Sequence, residues 1–127
     1  MSFAFDGAKG PIFVAAEISG PTGRSNLRLL LDTGATTSLV DPLLLMSVGY
    51  DVQGSMVIVR IAMGNGVGSA PRLMLTRLTA LGQHRFGFPV VAHSLPADVG
   101  VDGLLGLDFL RGRALTLDFP NGLATLI

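Results

Sequence analysis

Short runs of apolar residues, separated by glycine and proline, occur along the whole chain. Residues 11–19 and 26–31 are two such runs, and the Gly-Pro-Thr-Gly between them indicates a turn. They predict an N-terminal β-hairpin. A strand resuming over residues 37–40 and further strands are predicted at residues 55–63, 71–79, 85–92, 114–119 and 123–126. The chain is therefore predicted to be mostly β, folded as a small closed barrel.

Two short helices interrupt this pattern. Asp41 is followed by proline, an N-cap followed by a favoured first helical residue, which predicts a helix over residues 42–48 that ends at Gly49. A very short strand at residues 103–105 is predicted to lead into a second helix at 106–110. We expect residues 1–127 to form a single domain.

Composition narrows the classes of function. Hydrophobic residues make up 49% of the chain and charged residues only 14%, against a usual charged share of about 25%. Such a chain has a large core or an apolar surface that meets a partner. Nine basic and nine acidic side chains cancel, and the eight arginines are spread from Arg24 to Arg113. This disfavours nucleic acid as a partner, because non-specific binding needs a basic cluster.

Several kinds of site and location are also disfavoured. The chain has no cysteine, which excludes disulfides, thiolate nucleophiles and zinc–cysteine sites. His84 and His93 have no metal-ligand spacing, so we expect neither a metal nor another cofactor, and we expect both to be loop or surface residues without a catalytic role. No apolar run is long enough for a membrane segment. Residues 1–9 lack the features of a signal peptide, so a cytoplasmic location is expected.

Asp32 is the residue that points to chemistry. It lies between the apolar residues 29–31 and 37–40, and burying an unpaired carboxylate there costs several kcal/mol. This favours a functional site. Gly34 permits a sharp turn with its amide toward the carboxylate, and Thr33 offers a hydroxyl that can lock the loop. Taken alone, Asp-Thr-Gly is also an ordinary turn sequence.

Two further motifs follow in order. A glycine-rich hairpin is predicted over residues 63–71, and Leu104-Leu105-Gly106 precedes the second helix. The order of Asp-Thr-Gly-Ala, hairpin and Leu-Leu-Gly resembles the retropepsin-like aspartic peptidases over residues 11–127. Thr36, Thr37 and Leu107 stand where retroviral members carry an acidic–arginine ion pair, so the chain is more similar to the cellular and bacterial branches.

The resemblance implies a retropepsin-type, acid-protease β-barrel of one lobe, with a ψ-shaped unit beneath the active site. It implies that Asp32 is the catalytic residue of an aspartic endopeptidase acting on a peptide or protein. The supporting residues that it implies are Thr33, Gly34 and Ala35 in the active-site loop, Leu104, Leu105 and Gly106 in the ψ-unit, and Met63, Gly64, Asn65 and Gly66 in a flap over the substrate.

One aspartate is not enough for this chemistry, which uses two carboxylates sharing a proton. Asp102 lies in a predicted turn and Asp108 inside a predicted helix, so both are expected to have structural roles. The second carboxylate is then Asp32 of another copy, in a homodimer. Residues 1–5 and 123–127 are strand-like, and by analogy with the family we expect them to interleave across that dimer.

Two other functions fit the same sequence. The chain could be a binding or dimerisation module that keeps the fold without activity, since fold does not guarantee chemistry. Its low charge also fits an apolar small-molecule carrier built on a small barrel. The intact Asp32-Thr33-Gly34 favours the peptidase. The glycine-rich turn at residues 64–68 lacks the Lys-Ser/Thr and the helix of a phosphate-binding loop, and a mobile lid is the preferred interpretation.

Overall fold

The computed structural model describes residues 1–55, 57–63 and 66–127. Its strands, in chain order, are β1 (Ser2–Ala4), β2 (Phe13–Gly20), β3 (Gly23–Leu31), β4 (Leu39–Val40), β5 (Ile58–Met63), β6 (Gly66–Ala80), β7 (Gln83–Ala92), β8 (Gly103–Leu105), β9 (Leu115–Asp118) and β10 (Leu123–Leu126). The helices are α1 (Pro42–Ser47) and α2 (Leu107–Leu110), with a 3₁₀ turn at Ala97–Val99. Within the described residues no helix is both long and apolar enough to cross a membrane.

Six strands of the described chain close into a barrel. They lie in the order β2-β3-β8-β4-β7-β6, and the end of β6 pairs back onto β2, with Ile18 opposite Leu78. The predicted N-terminal hairpin is present as β2 and β3, closed at Gly20 opposite Gly23. The mostly β, closed-barrel fold predicted from the sequence is therefore confirmed.

The barrel interior is filled with apolar side chains. Alternate residues of β2 point inward. The same period of two occurs in β6 and β7, with a change of phase at Thr76 and at Gly87. The side chains without any exposed surface are Ile18, Leu29, Val40, Leu45, Leu75, Leu78, Val90, Leu105 and Phe109. Full burial of such a side chain contributes about 1.5–3 kcal/mol, so this core holds the strands from which the loops of the site emerge.

The predicted glycine-rich hairpin is formed by β5 and the first six residues of β6. Met63 lies opposite Gly66 and Ile58 opposite Pro71. From Arg72 onward, β6 pairs instead with β7, so one continuous strand belongs to both the hairpin and the barrel. At the root of the hairpin the Ser55 hydroxyl contacts the carbonyl oxygens of Val57, at 3.2 Å, and Arg72, at 2.9 Å.

The two ends of the chain pair with each other. β10 lies between β1 and β9 in a three-stranded antiparallel sheet, with Ser2 opposite Thr125 and their hydroxyls 3.0 Å apart. Both edges of β10 are thus occupied within one chain. Among the described residues, the outer edges of β1 and β9 have no neighbouring strand in this sheet, and the expected interleaving of terminal strands between subunits stays a prediction.

The local sequence signals explain the bounds of α1. The Asp41 carboxylate accepts a hydrogen bond from the Leu43 amide at 2.8 Å, and Gly49 has a φ of 97° just beyond the helix. The helix ends at Ser47, one residue before the predicted end. The strand predicted at residues 37–40 is reduced to Leu39–Val40, because the Ser38 amide is bonded to a side chain rather than to a neighbouring strand.

Tyr50 links the segment after α1 to two barrel strands. Its hydroxyl donates to the Ser19 carbonyl oxygen at 2.5 Å and accepts from the Thr76 amide at 2.7 Å. Because the Tyr50 ring is only half-buried, the two strands are connected chiefly by the hydrogen bonds of the hydroxyl and less by packing of the ring.

We predict that Tyr50→Phe lowers the free energy of unfolding by about 1–2 kcal/mol, since it removes a hydroxyl that makes two hydrogen bonds. Urea unfolding followed by circular dichroism measures this. Thr76→Val is the control, because it removes only the side-chain oxygen, 3.4 Å from the Tyr50 hydroxyl, and keeps the amide. An equal decrease in the free energy of unfolding in the two variants would contradict the role given to the Tyr50 hydroxyl.

Candidate active site

Asp32 begins the loop that follows β3. Its amide donates to the Leu105 carbonyl oxygen at 3.0 Å, which extends the pairing of β3 with β8 by one residue. The Ala35 amide then donates to the Asp32 carbonyl oxygen at 3.1 Å and closes a tight turn. Inside this turn the Gly34 amide donates to Asp32 Oδ1 at 2.9 Å. The half-buried carboxylate is thereby fixed by its own loop.

β8 runs between the strands on either side of this loop. It is parallel to β3 and antiparallel to β4, so that Leu104 lies opposite both Leu30 and Leu39. β8 can lie this close to β4 because residue 103 is glycine. A Cβ atom at Gly103 would lie 2.0 Å from the Leu39 carbonyl oxygen. At Gly106 a Cβ atom would lie 2.8 Å from the Ala35 carbonyl oxygen. Both glycines are therefore needed to bring the two loops together.

Ser38, which follows the Asp32 loop, connects this loop to α2 through hydrogen bonds of its side chain. Its side chain is 1% exposed, and its hydroxyl donates to Asp108 Oδ1 at 2.6 Å while accepting from the Gly106 amide at 3.0 Å. The Ser38 amide donates to Asp108 Oδ2 at 2.9 Å. Asp108 is thus used to hold the loops, as expected. The role of Ser38 was missed, because its partners Asp108 and Gly106 lie about seventy residues away in sequence.

Asp102 holds the start of β8. Its carboxylate accepts from the Arg28 amide at 2.8 Å, and its own amide donates to the Arg28 carbonyl oxygen at 2.8 Å. The Arg28 guanidinium in turn donates to the Gly100 carbonyl oxygen at 3.1 Å. Asp102 therefore has the structural role expected of it in the loop before β8.

Asp32 opens onto a cleft of about 860 Å³, a size typical of sites for ligands. The residues that line it are Asp32, Gly34, Ala35, Thr36, Thr37, Leu39 and Leu104 around the carboxylate, Arg60, Ile61 and Ala62 of β5, and His93, Ser94, Leu95 and Pro96 after β7. The wall contributed by β5 shows that the hairpin borders the same space as Asp32.

The residues proposed from sequence are placed differently with respect to this cleft. Thr33 is exposed at the tip of the loop, whereas Leu105 and Gly106 lie behind it in the core. Gly66 opens β6 opposite Met63. Gly64 and Asn65 lie outside the described residues. Asp32, Gly34, Ala35 and Leu104 are the predicted residues that line the cleft.

The two histidines have separate surroundings. His84 is exposed, and its Nδ1 lies 2.8 Å from the Thr79 hydroxyl. His93 lines the cleft, and its Nδ1 donates to the Ser94 carbonyl oxygen at 2.6 Å. Sequence reasoning expected His93 to be an uninvolved loop residue and missed its position, because nothing in the local sequence links residue 93 to residue 32.

Charge is sparse in the cleft. Among its described lining residues, Asp32 is the one acid, and Arg60 and His93 are the ionisable bases. In the part of the chain that the structure describes, no group of three or more His, Asp and Glu side chains is placed to bind a metal ion. The described lining of the cleft therefore provides one carboxylate, that of Asp32, in largely apolar surroundings.

Comparison with known proteins identifies the family. The family model described as "Aspartyl protease" matches residues 14–109, from β2 to α2, so the chain belongs to this family. The fold is similar to that of a retropepsin-like aspartic protease from Rickettsia conorii, with a TM-score of 0.72 and 16% sequence identity over 100% of this chain and 92% of that one. The retropepsin-like fold expected from the sequence is thereby confirmed. No curated protein matches the chain.

We predict that Ser38→Ala lowers the free energy of unfolding by about 2–3 kcal/mol, because it leaves the Gly106 amide buried without a partner and removes a bond to a carboxylate. Thermal and urea unfolding measure the loss. Ser47→Ala is the matched control, since that exposed hydroxyl only contacts a carbonyl oxygen within its own helix. A loss no greater than in the control would contradict the role given to Ser38.

Proposed function

We propose that this chain is an aspartic endopeptidase that acts as a homodimer, with Asp32 of each subunit supplying one of two catalytic carboxylates. The observation that carries the proposal is the Asp32 carboxylate, fixed by the Gly34 amide at 2.9 Å and open to a cleft of about 860 Å³. Membership of the aspartyl protease family supports it.

The proposed reaction follows from two adjacent carboxylates that share one proton, since like charges at close range do not both ionise. The ionised carboxylate removes a proton from water, whose oxygen attacks the scissile carbonyl carbon. The protonated carboxylate hydrogen-bonds the carbonyl oxygen. As the tetrahedral intermediate collapses, the C–N bond breaks and the leaving nitrogen takes the proton that the first carboxylate removed from water, which restores the one shared proton. In this scheme the Gly34 amide occupies Oδ1 and leaves other lone pairs of Asp32 for water and the partner carboxylate.

A second copy of the chain is proposed to complete the site. Asp32 is the one acid among the described lining residues, and both Asp102 and Asp108 are occupied with backbone contacts. Thr33 is exposed at the loop tip, where a partner's loop can meet it in an isologous dimer. Leu123 of β10 and Phe119 next to β9, 37% and 52% exposed, give the terminal sheet an apolar surface for such a partner.

The alternative functions have less support. A small-molecule carrier would need room inside the barrel, yet that interior is filled by fully buried side chains such as Ile18, Leu78 and Phe109. A silent binding module shares the fold, but it has no need for a carboxylate positioned at the floor of a cleft. We therefore keep the peptidase as the function that the site supports best.

We predict that Asp32→Asn lowers the rate of peptide hydrolysis by about 10³ or more, because the amide can neither accept the water proton nor share one. The measurement is mass spectrometry of new termini in an unfolded protein mixture between about pH 4 and pH 7. Asp98→Asn, the same chemical change at an exposed acid on the 3₁₀ turn, is the control. Absence of cleavage by folded, dimeric wild-type protein would refute the proposal in favour of the binding module.

Mixing experiments test whether the two carboxylates come from different chains. Wild type and Asp32→Asn subunits are mixed in equal amounts and allowed to exchange. If two Asp32 residues are required, activity falls to about one quarter of that of the same total amount of wild type, since about a quarter of random dimers carry both carboxylates. Activity of about one half would show that each chain works alone.

A further inference from the structure

We propose that Arg60 forms a subsite for a carboxylate of the substrate, so that the enzyme prefers peptides with Glu or Asp near, but not at, the scissile bond. This inference rests on the peptidase function proposed above. Arg60 lies on β5 and contributes to the wall of the Asp32 cleft. It is the only arginine among the described residues that line this cleft.

The guanidinium of Arg60 is available to a ligand. Within residues 1–55, 57–63 and 66–127 it forms neither an ion pair nor a side-chain hydrogen bond. Other arginines are used inside the molecule. Arg77 pairs with Glu17 at 3.0 Å, and Arg85 donates to the Phe109 carbonyl oxygen at 2.7 Å. The Arg60 side chain, in contrast, is exposed beside the cleft.

The chemistry of the cleft favours a carboxylate as the partner of Arg60. A guanidinium presents paired N–H donors that match the two oxygens of a carboxylate. His93 adds a second basic group to the lining, and Asp32 is the one acidic lining residue. In a peptide, an internal group with this charge and shape is the side chain of Glu or Asp. Because Arg60 is exposed, such a pair is expected to be modest in strength.

The position of Arg60 places the carboxylate away from the cut. Ala35, Leu39 and Leu104 share the cleft lining with Asp32 and suit apolar side chains next to the scissile bond. Because Arg60 lies on the hairpin and not on the Asp32 loop, the acidic residue is expected near the cut rather than at it.

Two-fold symmetry makes the inference more specific. An isologous dimer presents one Arg60 on each side of the active site. The preference should therefore occur at two positions, at equal distances before and after the scissile bond. A preference at one position only, or at unequal distances, would contradict the assignment to Arg60.

The test compares peptides that differ only by Glu or Gln at each position around one cleavage site. We expect kcat/KM to be about two- to fivefold higher for Glu at the two favoured positions. Arg60→Gln should remove this ratio, and Arg60→Glu should favour Lys instead. Arg72→Gln is the matched control, since Arg72 is an exposed arginine at the root of the same hairpin and does not line the cleft; it should keep the full ratio.

The outcomes separate this inference from the peptidase function. Cleavage without a Glu preference, or with a preference that survives Arg60→Gln, overturns the subsite and leaves the peptidase intact. If no peptide is cleaved, fluorescently labelled versions of the same peptides are used, and their binding to Asp32→Asn protein is measured by fluorescence anisotropy. Binding that is about two- to fivefold tighter for the Glu peptide, and that loses this difference with Arg60→Gln in the same background, supports the subsite; equal binding of the Glu and Gln peptides overturns it.

Discussion

The site depends on the insertion of one three-residue strand between two others. β8 is parallel to β3 and antiparallel to β4, and it fits because Gly103 has no side chain to collide with the Leu39 carbonyl oxygen. This position brings the Leu105 carbonyl oxygen to the Asp32 amide. It also brings the Gly106 amide to Ser38. The loop that carries the carboxylate is therefore held by backbone groups of β8 and the residue after it, about seventy residues away in sequence.

Asp32 and Asp108 carry the same side chain but differ in role, because their hydrogen-bond partners differ. The Asp108 carboxylate accepts hydrogen bonds from the amides of Ser38 and Phe109 and from the Ser38 hydroxyl. Its acceptor capacity is used to join two loops. The Asp32 carboxylate receives one amide hydrogen bond, from Gly34, and borders the cleft. The remaining acceptor capacity of Asp32 is what suits it to proton transfer.

Much of this arrangement could be predicted from the sequence, because the decisive signals are local. Alternation and turn residues predict the hairpins, Asp41 and Gly49 predict the limits of α1, and Asp32-Thr33-Gly34 predicts the loop. The missed features are non-local. Ser38 acts through Asp108, seventy residues away, and His93 reaches the cleft only because β7 pairs with β4. The internal pairing of β1 with β10 depends on a register that strand propensity does not specify.

The hairpin that borders the cleft is joined to the barrel at its base, through the continuous strand β6. β6 changes partner at Pro71, from β5 to β7, and proline has no N–H to carry the ladder across this point. Among the described residues, the Ser55 hydroxyl and the bond from the Arg72 amide to the Val57 carbonyl oxygen at 2.8 Å also support the base of the hairpin. The position of β5 beside the cleft is therefore set in part by contacts of Ser55 and Arg72, two residues outside the cleft lining.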